Sequence, residues 1–216
     1  QSITDSKDFC VASYNQPDTW NLVLVKDLVN NGSGSWNLSL YPDTGFDETP
    51  TLSEGTDDIN YIAVNHHQLA PHQYGVLLEN RDDDSDAQAH ISGSISNILT
   101  TGTNNLNWST DVNSRIWNVQ LAAGNHFFEL STANSLADLD IALYPPGGDG
   151  TFSYGEALAA SRNRDPGGLE SFILDVATPG VYGLVVSART LTTAAFQLRI
   201  MDGSIWEGDI STDWNV

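Results

Sequence analysis

Cysteine occurs once in the 216 residues, at Cys10, which rules out a disulfide framework within the chain. Cys10 stands in the apolar run Phe9-Cys10-Val11, the setting of a buried structural thiol rather than a reactive one. Basic residues are scarce as well. Eight stand against 28 acidic ones, for a formal charge of −20, and only Lys7 and Lys26 are lysines. Such a surface repels a phosphate backbone, so nucleic acid is excluded as a partner, and cations from solution become the natural neighbours of the aspartates. Long apolar runs are missing too. No window approaches the roughly eighteen residues of a membrane-spanning helix, and no basic start followed by an apolar stretch marks a leader peptide. With abundant Asn, Thr, Ser and Gly, the expectation is a processed, secreted extracellular protein without membrane insertion. Catalytic signatures are also lacking. Around Ser153 the sequence reads Thr151-Phe152-Ser153-Tyr154-Gly155, without the first glycine of a nucleophile elbow, and no Gly-rich phosphate loop precedes a helix. No catalytic residue is assigned, and the chain is read as a non-enzyme.

What is present is a repeat. Trp36-Asn37-Leu38-Ser39-Leu40-Tyr41-Pro42 returns as Leu139-Asp140-Ile141-Ala142-Leu143-Tyr144-Pro145. Ala70-Pro71-His72-Gln73-Tyr74-Gly75-Val76-Leu77-Leu78 returns as Thr178-Pro179-Gly180-Val181-Tyr182-Gly183-Leu184-Val185-Val186. Both offsets are about a hundred residues, the size of one small domain, and the second copy carries a small insertion between the matched phrases. The apolar spacing is period two nearly throughout. Leu139, Ile141 and Leu143 point to one face of a strand and Asp138 and Asp140 to the other. Strands are expected at about 115–121, 126–132, 170–176, 180–188 and 194–200, with counterparts at about 8–14, 20–26, 59–65, 73–79 and 87–95. Turn signals between them, such as Asn31-Gly32 and Pro179-Gly180, give two tandem antiparallel β-sandwiches, an all-β fold. The expected divisions are residues 1–96, a hydrophilic linker at 97–112, residues 113–202 and a tail at 203–216. Residues 156–161 fit a helical turn or a strand.

The second copy carries Trp117-Asn118-Val119-Gln120-Leu121-Ala122-Ala123-Gly124, then Asp138-Leu139-Asp140-Ile141-Ala142-Leu143-Tyr144, then Ala177-Thr178-Pro179-Gly180-Val181-Tyr182-Gly183-Leu184-Val185-Val186. In this order the three motifs resemble the bacterial pre-peptidase C-terminal domain. The resemblance covers about residues 111–201. It implies jelly-roll-like sandwiches that serve as accessory modules of secreted proteases and other extracellular proteins, some of whose relatives bind calcium and collagen. The first copy departs from it, with Asn37 at the position of Asp140 and His72-Gln73 where the family's turn carries glycine. In the shared turn, proline fixes φ, glycine permits a tight conformation and tyrosine ties down a neighbouring loop, so Tyr74 and Tyr182 are read as structural.

Candidate sites follow from the acidic clusters and the aromatics. Strand geometry sets Asp138 and Asp140 on one face about 7 Å apart, where like charges repel unless a cation intervenes. Calcium near Asp138, Asp140 and Asp149 is the expected cofactor. His66 and His67 face opposite sides of a strand and do not ligate one ion, so surface or edge positions are expected for the histidines. Of six tryptophans, Trp20, Trp36 and Trp117 fall at inward positions and are read as core; Trp108, Trp206 and Trp214 are the candidate contacts for a ligand or partner.

The tail echoes the end of the first copy. Gly203-Ser204-Ile205 repeats Gly93-Ser94-Ile95, Ser211-Thr212-Asp213 repeats Ser109-Thr110-Asp111, and Trp214-Asn215-Val216 repeats Trp117-Asn118-Val119. Two readings stand: an accidental likeness in a ragged last strand, or a strand that pairs with a neighbouring subunit's sheet. The expected function is extracellular binding or surface and filament assembly, calcium-assisted, through self-association or an extracellular protein or polysaccharide. The alternative is the substrate-targeting region of a secreted protease or other hydrolase.

Overall fold

The computed structural model describes residues 2–3, 7–14, 20–27, 36–42, 44–46, 48–54, 59–66, 72–80, 87–93, 95–108, 114–146, 150–188 and 194–203. Their strands are, in chain order, β1 (Ser2–Ile3), β2 (Lys7–Tyr14), β3 (Trp20–Asp27), β4 (Trp36–Tyr41), β5 (Thr51–Glu54), β6 (Ile59–Asn65), β7 (His72–Asn80), β8 (Ala87–Gly93), β9 (Ile95–Leu99) and β10 (Gly102–Trp108). There follow β11 (Ser114–Leu121), β12 (Gly124–Thr132), β13 (Leu139–Tyr144), β14 (Thr151–Ser153), β15 (Ala159–Ser161), β16 (Glu170–Val176), β17 (Gly180–Ala188) and β18 (Ala194–Asp202). The single helical element among the described residues is a 3-10 turn at Tyr154–Glu156, so the 156–161 segment divides into the end of that turn and β15.

The strands form four sheets, ordered β2-β7-β4-β5, β1-β8-β3-β6-β14, β15-β13-β17-β11-β9 and β10-β18-β12-β16. Without β9 and β14, the second half reproduces the first strand for strand: β1-β8-β3-β6 becomes β10-β18-β12-β16, and β2-β7-β4-β5 becomes β11-β17-β13-β15. This is the eight-stranded jelly-roll order, made twice. Even the register repeats, since Tyr41 lies opposite Gly75 and Tyr144 opposite Gly183.

Each pair of sheets closes on its own core. Val23, Leu38, Leu40, Ile62, Val64, Tyr74, Val76 and Leu78 fill the first sandwich. Trp117, Phe128, Leu139, Ile141, Leu143, Tyr182, Leu184, Phe196 and Leu198 lie in the second. Period-two alternation predicts these inward positions. It also predicts that the alternate positions face away from the core, and here the tertiary structure adds a third apolar layer. Trp20, Leu22, Leu24, Tyr61 and Ala63, on the other face of β3 and β6, pack with Ile116, Ala142, Tyr144 and Val185 on the other face of β11, β13 and β17. The two sandwiches are therefore stacked face to face, four sheets deep, and all six residues of β13 are buried.

Trp20 is the centre of this layer and is fully buried. It belongs to the junction and not to a sandwich core, where the sequence pattern placed it; Trp117 does lie in a core. The indole Nε1 donates to the Val181 carbonyl at 3.2 Å, and the Trp20 amide donates to Asn118 Oδ1 at 3.1 Å. Gly183 makes the close approach possible, because a Cβ there would stand 2.5 Å from the indole ring. The insertion in the second copy forms a clasp. Its β14 pairs antiparallel with β6 as an edge strand of the first sandwich, the Asn65 amide donates to the Gly150 carbonyl at 3.0 Å, and the Thr51 and Thr151 hydroxyls are hydrogen-bonded.

Much of the segment expected as a linker at 97–112 is instead built into the second sandwich. β9 pairs parallel with β11, and β10 pairs along its full length with β18. Asn, Thr and Gly gave this stretch the composition of a tether, but an edge strand whose outer face meets water has the same composition.

Replacing Trp20 with alanine is expected to cost about 3–5 kcal/mol and to split one cooperative unfolding transition into two, because the junction is what couples the sandwiches. Calorimetric scans of both proteins measure it; a single transition retained in the variant would show that the clasp alone couples them.

Candidate functional site

Two places in the structure gather polar side chains. The first is the junction. Asp138 and Asp140, read from the sequence as a carboxylate pair for a cation, are both buried, at 7% and 4% exposed, and Asp140 lies on the face of β13 that the other sandwich covers, near Tyr61. Asp140 lies in a cross-strand row with Ser187 and Ser114. One layer contact away, Tyr61 meets Tyr144 edge-on at 6.3 Å between ring centroids and Tyr154 at 5.1 Å. The Arg162 guanidinium sits 3.7 Å from the centre of the Tyr154 ring and donates through Nη2 to the Tyr154 carbonyl at 2.7 Å. Among the described residues no three His, Cys, Asp or Glu side chains converge as a metal site, and Asp149 lies outside the described residues.

Burial controls the protonation of this layer. It pushes Tyr144 well above the ordinary 10.0, with the neighbouring Tyr61 adding to the rise. Burial likewise raises Tyr61, opposed by the positive charge of Arg162. Sequence reasoning missed Tyr61, Tyr154 and Arg162. Nothing in their local pattern marks them, because they meet only when the sandwiches stack.

The histidines differ from expectation. His66 and His126 are buried, not at the surface. His66 meets Tyr74 edge-on at 5.5 Å, and His126 fits between the Ala122 carbonyl, 2.9 Å from Nε2, and Asp202 Oδ1, 2.9 Å from Nδ1. Tyr182 keeps the structural part read from its turn, its hydroxyl donating to the Thr178 carbonyl at 2.8 Å.

The second place is a groove of about 500 Å³ at one end of an outer sheet, lined by Asn105, Asn107, Ser131, Thr132 and Gln197 together with the edge of the core residue Phe196. Register explains the convergence, since Asn105 lies opposite Gln197 and Gln197 opposite Ser131. Gln197 Nε2 donates to Asn105 Oδ1 at 3.2 Å, and the Thr132 hydroxyl donates to the Ala195 carbonyl at 3.0 Å. Trp108 follows Asn107 directly and closes the β10–β18 ladder opposite Ala194, so its backbone borders the groove. Trp206 and Trp214 lie outside the described residues.

No family model matches the chain, and neither does any curated protein. Solved structures do. The pre-peptidase C-terminal domain of a Bacillus anthracis collagenase matches with a TM-score of 0.38 and 12% identity over 49% of this chain and 93% of that domain. A surface-associated copper-binding protein of Methylomicrobium album matches with a TM-score of 0.37 and 10% identity, over 51% of this chain and all of that one. A periplasmic inhibitor of g-type lysozyme from Aeromonas hydrophila matches with a TM-score of 0.32 and 14% identity, over 49% of this chain and 97% of that one. Each spans about half of this chain, and likeness at this level carries no argument about function. Among the described residues no helix is long and apolar enough to cross a membrane.

The raised tyrosines have a consequence for alkaline stability. The folded chain holds their protons more tightly than the unfolded chain, so their contribution is fully present below about pH 10 and is lost as the pH rises toward the folded-state values. Denaturant unfolding across pH 9 to 12 is expected to show that decline, and Tyr144→Phe to make it shallower; an unchanged slope would place the alkaline loss elsewhere.

Proposed function

We propose that the chain is a non-catalytic, secreted binding protein, composed of two units of the pre-peptidase C-terminal type, that holds a neutral extended polymer along the groove of its outermost sheet. The observation that carries this reading is the chemistry of that groove. In a protein of net charge −20, the described residues of its lining are amide, hydroxyl and apolar, with no ionisable side chain among them. Such a surface matches the peptide groups of a protein strand or the hydroxyls of a polysaccharide, and it offers no nucleophile with an adjacent base. Trp108, whose backbone ends the same strand, is proposed as a further contact, since indole is a residue type that stacks on sugar rings and peptide planes.

Calcium is proposed as an assisting ion near Asp138 and Asp140, with Asp149 as a third ligand. Both carboxylates are buried, and a bound cation is one way to offset the cost of a charge held out of water. Two carboxylates fall short of the six to eight oxygens that calcium takes, so the site depends on Asp149 and backbone carbonyls to complete it.

Asn105→Ala and Gln197→Ala are each expected to weaken binding roughly fivefold, the worth of one hydrogen bond, in a screen of extracellular polysaccharides and extended proteins; a Trp108→Ala variant that binds unchanged would remove the stacking role. For calcium, the expected result is a melting temperature several degrees higher in excess calcium than in chelator, abolished by Asp140→Asn. Calorimetry with no heat of binding and no melting shift would remove calcium while leaving the groove.

A further inference from the structure

A sheet leaves unpaired N–H and C=O groups along each of its edge strands, and native proteins blunt such strands by making them short, bulged or charged. Seven of the eight edges in the four sheets follow that rule. β1, β5, β14 and β15 have two to four residues. β9 shifts register against β11, β2 carries Lys7 and Asp8, and β16 carries Glu170 and Asp175. The eighth edge is β10. Its seven residues, Gly102–Trp108, pair without a break against β18, and they contain no charge and no proline. Among the described residues no strand pairs with its outer edge. The corresponding edge of the first sandwich is β1, two residues long, so the long uncharged edge belongs to the second copy alone.

The sequence around this edge is unlike the rest of the chain. From Ile91 to Thr110, twenty consecutive residues lack Asp, Glu, Lys, Arg and His, the longest such stretch in a chain of net charge −20. A backbone laid along β10 therefore desolvates no charge of that strand. β10 also offers two different sides. Thr103, Asn105 and Asn107 are exposed, and Asn105 and Asn107 line the groove. Leu106, between them, is half-buried against the second core. A strand beside β10, about 4.8 Å away, sends alternate side chains to these two sides. One set reaches the amides and hydroxyls of the groove, and the other extends the core past Leu106.

We infer that the polymer held here is a polypeptide, bound as an added strand on the outer edge of β10, with uncharged polar residues beside Thr103, Asn105 and Asn107 and an apolar residue beside Leu106. An added strand deepens the proposed binding function, and rests on it, by choosing a protein over a polysaccharide as the polymer. A free strand edge presents N–H and C=O groups at the repeat of another backbone, which a sugar chain does not match. Charge narrows the partner further. A surface of −20 disfavours an acidic segment and a second copy of this chain, so the segment that fits is neutral or basic.

The test uses the whole chain, isotope-labelled, and a synthetic peptide of alternating threonine and valine with a lysine at each end. Amide hydrogen exchange is followed residue by residue. With the peptide in excess, every second amide of Gly102–Trp108, the set facing away from β18, is expected to exchange at least about tenfold more slowly, while the set already bonded to β18 is unchanged. Proline in place of the central valine is expected to weaken binding about tenfold. Methylating the peptide's amides at alternate positions is expected to abolish binding for one set of positions and to spare it for the other. Peptide binding without alternating protection of β10 would overturn the inference. So would a neutral polysaccharide that binds, and is weakened by Asn105→Ala and Gln197→Ala, where the peptide does not bind; that result leaves the groove standing. Binding of neither polymer removes the groove as well. Protection of the same amides in the chain alone at raised concentration, with a doubled mass in sedimentation, would make a second copy the occupant and overturn the choice of partner.

Discussion

The indole of Trp20 occupies space that exists only because residue 183 has no side chain, and the two sandwiches meet around that contact. A sheet with one apolar face needs a single partner; the middle sheets here have two such faces and need partners on both. Without the junction, Leu22, Leu24, Tyr61, Ile116 and Val185 would stand in water, at about 25 cal/mol for each Å² of apolar surface exposed. The tandem repeat is consequently one body with three apolar layers, and the clasp of β14 on β6 adds backbone pairing to what side-chain packing begins.

The junction also changes what the polar residues on these faces do. Asp140 and Tyr144 alternate with core residues along β13, a spacing that on a lone sandwich would send them to solvent. Covered by the first sandwich, the tyrosine becomes a weaker acid and the carboxylate becomes a buried group near Tyr61. The groove obeys the opposite rule. It lies on an outer sheet that no other described sheet covers within the chain, and Asn105 and Asn107 stay exposed there.

Copying a domain gives two equal units only while each is alone. Once they stack, one face of each is used up, and the repeat becomes a chain of directed contacts in which the second layer meets the third. The insertion that makes the clasp and the segment that makes β9 are the two additions to an otherwise identical eight-stranded plan, and both cross from one sandwich to the other.

The sequence by itself determined the strands, the repeat and the inward-facing residues, because side-chain alternation and turn residues act over a few positions. Expected limits such as 59–65, 170–176 and 180–188 coincide with β6, β16 and β17. The second-sandwich positions Leu139, Ile141 and Leu143 were legible for the same reason, as was the turn fixed by Tyr182. Only the tertiary structure decided that Asp138 and Asp140 are enclosed, that His66 and His126 are buried, that Trp20 joins two domains, and that an apparent tether is a pair of edge strands. Alternation states that a residue leaves one core, but what covers the other face depends on a contact between residues a hundred or more positions apart, and the local pattern carries no record of it.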